Sequence, residues 1–287
     1  MSYPHKILGQ LEKTLKERYG ISIDENSYKN IVNVMTNEFP SGTGKKTYES
    51  CIFIEKEESE EQNKKNEKNE NEISSVGNGE SSENSVAEYG ISGNFKEMLE
   101  NPDFYDIVKE LVEFGISRYR SNYSKRYQNT DFVLYQKYTY EDVCRLLNWE
   151  NNEVPLNIGG YKYDKKTKTF PVFINYDKSD DISDTTKYED HFVNNHTLIA
   201  ISKSGRTKES EDVQNFLYVK ERGIDVHLFV RKNKDDKISK EFYYLGRMTA
   251  TGNAEEFCMA NTTKMAVEIE WVLDTPVRED IYQYIVE

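Results

Sequence analysis

The chain has 287 residues, of which 31% are charged and 36% are hydrophobic, and its formal net charge is −13. At about 150 residues per domain, this length predicts one or two domains, and the charge argues against a general basic coat for nucleic acid. The three cysteines lie far apart, which disfavours a disulfide framework or a four-cysteine zinc site. No apolar run approaches the roughly 18 residues of a membrane span. We therefore expect a soluble, cytoplasmic protein with no cofactor, no metal and no membrane partner.

The N-terminal part of the sequence predicts a small helical segment at residues 1–55. Apolar residues recur at helical spacing over 6–19 and again over 27–39, and the brief run CIFIEKE is strand-like. Residues 56–88 contain almost no apolar side chain, so they cannot offset the entropy lost on ordering. We predict a disordered acidic linker there, in a region where residues 55–88 carry eleven acidic residues and four lysines.

After the linker, we predict a helical segment at residues 89–130 and an α+β domain at 131–287. A helix is expected to start after Pro102 and to continue past Gly115. The predicted strands are 131–138, a hairpin within 159–176, and runs at 195–202, 224–231, 241–249 and 265–273; the predicted helices are 140–149, 209–222 and 276–286. This irregular order favours a mixed, curved or barrel-like sheet with flanking helices over repeated βαβ units.

Several kinds of catalytic motif are absent from the sequence. The segment PSGTGKKTYES is not a phosphate-binding loop, because Lys46 replaces the hydroxyl residue that would hold Mg²⁺. None of the four histidines is followed two positions later by lysine, as a phospholipase-D-type nuclease requires. His227 lies inside an apolar strand and is expected to be a core residue. We expect no enzymatic activity; a nuclease using turn carboxylates such as Asp164 is a minor alternative.

Three polar segments are candidates for binding. The first is RYRSNYSKRY, in which cationic residues alternate with tyrosines. The cations are Arg118, Arg120, Lys125 and Arg126. Cations neutralise phosphates and rings stack on bases, so this stripe could follow a nucleic-acid backbone. The alternative is a solvated helix end whose cations favour the helix dipole.

The second candidate is the polar loop that follows the predicted hairpin. It carries Tyr176, Tyr188, Glu189 and Asp190. A carboxylate in an aromatic pocket can accept the exocyclic amine of a cytosine. The alternative is that the rings only anchor the loop.

The third candidate, and our first choice, is the segment ISKSGRTKES. It contains hydroxyl and cationic donors beside the expected start of a helix near Ser210: Ser202, Lys203, Ser204, Arg206 and Thr207. Such donors at a helix N-terminus favour an anion such as phosphate. Helix capping by Thr207 or Ser210 is the alternative.

Several consecutive motifs carry a resemblance to a known family. VLYQKYTYEDVCRLLNWE, GGYKYDKKTKTFPVFINYDK, ISKSGRT and GIDVHLFVRK resemble the C-terminal domain of unknown function of bacterial DEAD/DEAH-box helicases. Many of those helicases carry a phospholipase-D-type nuclease, and some are similar to modification-dependent restriction enzymes. Residues 1–54 resemble, more weakly, the segment that joins helicase and domain. The resemblance implies an SRA- or PUA-like sheet that reads methylated cytosine.

Together these features predict a non-enzymatic DNA-recognition region of a helicase-type restriction or phage-defence system. Arg206 and Lys203 would hold phosphate, and Tyr176 or Tyr188 would face an extruded base. The alternatives are a protein-interaction platform that docks a separately encoded helicase or nuclease, and the remnant of a split helicase gene. The prediction requires a ring-lined hollow beside the serine-and-arginine segment.

Overall fold

A computed structural model describes residues 7–20, 22–40, 52–56, 89–153, 158–177, 190–233, 240–260 and 262–287. The chain forms two compact units, Met1–Glu113 and Phe114–Glu287. Most of the predicted disordered linker, residues 57–88, lies outside the described residues, and residue 56 ends a strand. The three boundaries between the four predicted segments stay predictions.

The first unit combines helices with a two-stranded antiparallel sheet. Its elements are α1 (Ile7–Tyr19), α2 (Glu25–Met35), β1 (Ile54–Lys56), β2 (Tyr89–Ile91) and α3 (Gly93–Met98). The Asp24 side chain caps α2 by accepting a 2.7 Å hydrogen bond from the Ser27 N–H. Val32 of α2 and Ile54 of β1 are buried together and form a small core.

One long helix, α4 (Pro102–Tyr123), runs from the first unit into the second. It begins at Pro102, where the fixed φ of proline suits the first turn. It continues through Gly115, as the sequence predicted.

The second unit is built around a mixed sheet. Its elements are β3 (Lys137–Tyr138), α5 (Tyr140–Leu146), β4 (Thr169–Asp177), β5 (His191–Asn194), β6 (Thr197–Ile201), α6 (Glu211–Leu217), α7 (Val219–Arg222), β7 (Asp225–Asn233), β8 (Phe242–Cys258), β9 (Met265–Leu273) and α8 (Glu279–Val286). The strand order is β4-β7-β8-β9-β6-β5, and β3 pairs with β8. The β4–β7 pair is parallel and the other pairs are antiparallel. The predicted α+β class with a mixed, curved sheet is confirmed.

The 17-residue strand β8 gives the sheet its half-barrel curl. Its first part pairs with β7 and its later part with β9, and both pairings contain a register shift. Gly246, with φ of 102°, lies next to the shift against β7, and Gly252, with φ of 94°, lies within the shift against β9. Such irregularities bend a strand, so one strand can serve both halves of the curl.

The main core lies between the sheet and the helices α6 and α8. Phe216 of α6 stacks on Phe170 at 4.1 Å between ring centroids and meets Trp271 edge-on at 5.0 Å. These contacts fix α6 against strands β4 and β9. They also fix the segment that leads from β6 into α6.

Two predicted strands differ from the structure. Only Lys137–Tyr138 of the predicted strand 131–138 is a strand, because turns hold the preceding residues: the Tyr127 N–H donates to the Phe132 carbonyl at 2.7 Å, and the Tyr138 hydroxyl accepts from the Val133 N–H. In the predicted hairpin at 159–176, β4 forms, but the other arm contributes only isolated bridges.

The predicted helix starts and ends agree more closely with the structure. Thr139 and Asp142 form the expected capping box of α5. The predicted helix 209–222 is divided into α6 and α7, and it ends at Gly223 with φ of 61°.

Candidate functional site

The segment 202–207, here called the corner, leaves the end of β6 and is fastened to β9. The Ser202 N–H donates to the Val267 carbonyl, and the Ser202 hydroxyl accepts from the Val267 N–H, both at 2.8 Å. The N–H groups of Gly205 and Arg206 both donate to the Met265 carbonyl, at 2.7 and 3.1 Å. Ser202 is buried, so its hydroxyl serves the fold rather than an external ligand.

A buried tyrosine and a carboxylate tie the corner to α6. The Tyr161 hydroxyl accepts a hydrogen bond from the Lys203 N–H at 2.9 Å and donates one to Asp212 Oδ2 at 2.9 Å. Arg206 Nε donates to the same Oδ2 at 2.7 Å. Burial raises the pKa of Tyr161, which keeps the hydroxyl protonated and able to donate. The corner is therefore positioned before any ligand arrives.

Two cations lie on this support. The Lys203 ammonium is 4.6 Å from the centroid of the Tyr161 ring, a cation–π distance. Burial lowers the pKa of Lys203, and the Asp212 charge opposes that effect. Within the described ranges, Lys203 has no carboxylate at ion-pair distance, while the Arg206 side chain is paired with Asp212 and 38% exposed.

An open cleft of about 450 Å³ adjoins the corner. Arg206 and Asp212 line it, together with Tyr163, Ser210 and Asn215. The ring of Tyr163 packs against Phe170 with 5.4 Å between centroids, so this aromatic wall of the cleft is supported by the core.

On the inner side of the corner, the space is only about 20 Å³ and is bounded by Tyr161, Phe216 and Trp271. The inner space is too small for a nucleobase, whereas the volume of the outer cleft is large enough for one.

The start of α6 differs from the expected anion site. The first turn of this seven-residue helix carries Glu211 and Asp212, whose charges repel an anion. The Ser210 hydroxyl makes no capping bond to α6 and instead accepts from the Thr207 N–H at 2.9 Å. Ser204 is exposed. The positive character of the corner thus comes from its side chains and not from the helix.

Of the four residues predicted in the second candidate, the polar loop, the structure describes Tyr176 and Asp190. Tyr188 and Glu189 lie outside the described residues. Asp190 Oδ1 accepts a 2.8 Å hydrogen bond from the Ile201 N–H, which places Asp190 next to the corner. The Tyr176 hydroxyl accepts from the Phe192 N–H at 3.3 Å, so Tyr176 anchors β5 and is not among the residues that line the cleft.

The cations of the first candidate, the basic stripe, have different surroundings in the structure. Arg118 lines a second cleft, of about 400 Å³. Arg126 forms an ion pair with Asp131 at 2.8 Å. Arg120 and Lys125 are exposed on and just after α4.

Sequence reasoning missed Tyr161, Tyr163 and Asp212. The two tyrosines lie in the first arm of the predicted hairpin and were given no role in binding, and the Tyr161–Asp212 bond joins residues 51 positions apart. An acidic first turn was the one local signal that could have revealed Asp212.

His227 is a core residue, as expected. Its Nδ1 lies 3.1 Å from the Tyr244 hydroxyl, and burial lowers its pKa to about 3. In the part of the chain that the structure describes, no cluster of three or more His, Cys, Asp or Glu side chains is placed to hold a metal ion. No helix among the described residues is long and apolar enough to cross a membrane.

Two family models match the sequence. A domain of unknown function, DUF3427, matches residues 132–285, and a second domain of unknown function, DUF8090, matches residues 4–78. No curated protein matches the chain significantly.

Among solved structures, the chain is similar to SRA domains. The SUVH5 SRA domain in complex with hemi-methylated CG DNA is 12% identical, with a TM-score of 0.33 over 50% of this chain and 91% of that one. The same domain with methylated CHH DNA is 11% identical, with a TM-score of 0.35 over 52% and 95%. KRYPTONITE in complex with mCHG DNA and SAH is 10% identical, with a TM-score of 0.36 over 54% and 35%. Such low scores mark a distant likeness.

Proposed function

The chain belongs to the DUF3427 family, and we propose that its second unit binds DNA through the corner and the adjoining cleft. The observation that carries this proposal is the pair of cations, Lys203 and Arg206, held by the buried Tyr161 and the partly buried Asp212 beside an open cleft of about 450 Å³. We propose no catalytic step and no cofactor.

The corner suits a phosphate because its cations are already in position. Charge-assisted hydrogen bonds to phosphate are stronger than neutral ones, and side chains held in place lose less entropy when a ligand binds. Lys203 and Arg206 carry two positive charges against the one negative charge of Asp212. The charge of Glu211, which also lines the cleft, is paired with Lys165 at 2.9 Å. The hydroxyls of Ser204 and Thr207 supply further donors at the rim.

The cleft suits one nucleobase turned out of the duplex. Its volume of about 450 Å³ is within the range of about 300–1,000 Å³ typical of small-molecule sites. Extruding a base costs a few kcal/mol, and stacking on one ring returns about 1–3 kcal/mol, so Tyr163 can offset much of that cost. Asp212 Oδ1 accepts from the Val213 N–H at 3.1 Å and keeps capacity to accept a base amine.

The finer proposal, that the base is a modified cytosine, rests on the family resemblance and on the fit of a carboxylate to the cytosine amine. The predicted roles of Tyr176, Tyr188, Glu189 and Asp190 belong to this finer proposal. The secondary contacts proposed for Arg118, Arg120, Lys125 and Arg126 would follow the DNA backbone.

The cellular setting is also a proposal supported by resemblance alone. We propose that the chain acts in the cytoplasm with a helicase or nuclease subunit of a restriction or phage-defence system. Copurification of the chain with an ATPase encoded nearby would test this setting independently of DNA binding.

A fluorescence anisotropy titration tests the proposed function. One duplex carries 5-methylcytosine in a CG step and a second has the same sequence without the methyl group. We expect Arg206→Gln to weaken binding to both duplexes and Tyr163→Ala to reduce the preference for the methylated one. The exposed Lys220 of α7, changed to Gln, is the control for loss of one positive charge. Equal affinities of wild type and Arg206→Gln would refute the assignment of the corner.

A further inference from the structure

Helix α4 presents large apolar side chains to solvent. Ile107 is 56% exposed, Leu111 is 64% exposed and Phe114 is 64% exposed. Single exposed apolar residues are ordinary, but several on one helix mark a surface that another element covers.

Ile107, Leu111 and Phe114 lie on one line along the helix. The other exposed apolar residues of α4 lie off this line: Tyr105, Val112, Ile116 and Tyr119. The spacing from 107 to 111 to 114 to 118 is four, three and four residues, which is the alternation of the two core positions of a heptad repeat. We call Ile107, Leu111, Phe114 and Arg118 the α4 seam. Arg118, at its C-terminal end, is also exposed.

Charge along α4 is divided between its two halves. The first twelve residues of the helix carry four acidic residues and one lysine, and the last ten carry two arginines and no acidic residue: Asp103, Asp106, Lys109, Glu110 and Glu113, then Arg118 and Arg120. Two such helices attract each other when they run in opposite directions and repel each other when they run in the same direction.

We propose that two copies of this chain associate through the α4 seam, with their α4 helices antiparallel. Pairing Leu111 of one copy with Phe114 of the other brings Arg118 to the level of Ile107 of the second copy, within reach of its Glu110. A parallel pair would instead place Arg118 against Arg118.

The contact is expected to be small. From residue 107 to residue 118 the helix rises about 17 Å, at about 1.5 Å per residue. Two such seams bury less than the roughly 1,000 Å² of a stable interface. The association is therefore weak, reversible and dependent on concentration, and it is independent of the DNA-binding corner.

Sedimentation velocity of the full chain, from micromolar to millimolar concentration and without DNA, measures this association. We expect the mass to rise from one chain toward two. Leu111→Glu should raise the dissociation constant by roughly tenfold or more, as removal of a central apolar contact does. The matched control is Val112→Glu, which alters an apolar residue of similar exposure, 55%, that lies off the seam.

A charge exchange tests the direction of pairing. Arg118→Glu should weaken association, and Arg118→Glu combined with Glu110→Arg should restore it. A mass of one chain at every concentration would overturn the proposal, as would equal effects of Leu111→Glu and Val112→Glu. A weakening that the combined variant fails to reverse would overturn the antiparallel pairing. Arg118 is also proposed to contact the DNA backbone. A chain that stays a monomer while Arg118→Glu lowers its DNA affinity would overturn the α4 seam and support that DNA contact instead.

Discussion

Replacing Tyr161 by Phe tests the support of the corner most directly. The Tyr161 hydroxyl joins the Lys203 N–H to Asp212, with both hydrogen bonds at 2.9 Å. The ring meets Phe216 at 4.9 Å between centroids, and phenylalanine keeps that packing. The substitution therefore removes the two hydrogen bonds and little else.

The expected loss follows from the two bonds. A hydrogen bond to a charged group contributes about 1.5–3 kcal/mol and a neutral one about 1 kcal/mol. Asp212 is only partly buried and regains some hydration in the variant. We therefore expect the free energy of unfolding of the second unit to fall by about 2 kcal/mol. DNA affinity should fall with it, because Lys203 and Arg206 lose their common support.

Urea unfolding followed by tryptophan fluorescence measures this loss. The protein has two tryptophans, Trp149 and Trp271, and both are buried in the second unit. The control is Tyr163→Phe, because no described residue forms a hydrogen bond with the Tyr163 hydroxyl. It should change stability by less than about 0.5 kcal/mol. If Tyr161→Phe is as stable as that control, the Tyr161 hydroxyl does not hold the corner.

Other predictions concern the sheet and buried titratable groups. Gly246→Ala should lower the free energy of unfolding by about 1–3 kcal/mol, since φ is 102° and the added Cβ would lie 3.3 Å from the Leu134 side chain. Gly252→Ala places its Cβ in open space and should lower that free energy less in the same urea assay. Burial raises the pKa of Cys144 to about 12, so iodoacetamide should label Cys258 and spare Cys144 in the native protein, as read by peptide mass spectrometry. The folded protein keeps His227 neutral down to pH about 3, while the unfolded chain binds its proton below about pH 6.5. Stability should therefore fall by about 1.4 kcal/mol per pH unit below pH 6.5 from this group, and His227→Gln should flatten the unfolding free energy against pH by that amount.

Three results would contradict these expectations. They are equal stability of the two glycine variants, equal labelling of Cys144 and Cys258 in the native state, and parallel pH profiles for wild type and His227→Gln.

The sequence predicted those parts of the fold that depend on residues close together in the chain. The run 265–273 alternates in burial as β9, and it matches the predicted bounds. Thr139 and Asp142 predicted a helix start because a capping box needs only residues three apart. Gly223 predicted a helix end because glycine readily adopts the left-handed conformation that closes a helix.

Features that depend on distant partners were not predicted. Strand β8 continues to Cys258, nine residues beyond the predicted end at 249, because pairing with β9 stabilises a polar stretch that has no apolar pattern. Residues 131–136 have strand composition but form turns, because the Val133 N–H donates to the Tyr138 hydroxyl and the Phe132 carbonyl accepts from the Tyr127 N–H. The site was located from the residue types of the corner. Its support by Tyr161 and Asp212 required the tertiary structure.

The salt dependence of DNA affinity tests the central claim most directly. The dissociation constant is measured by anisotropy at several salt concentrations for wild type and for Lys203→Gln combined with Arg206→Gln. Each phosphate contact contributes about 0.9 to the slope of log affinity against log salt, so we predict that the slope of the double variant is shallower by about 2. Identical slopes, or no measurable binding of wild type at low salt, would contradict the claim that the corner holds DNA phosphate.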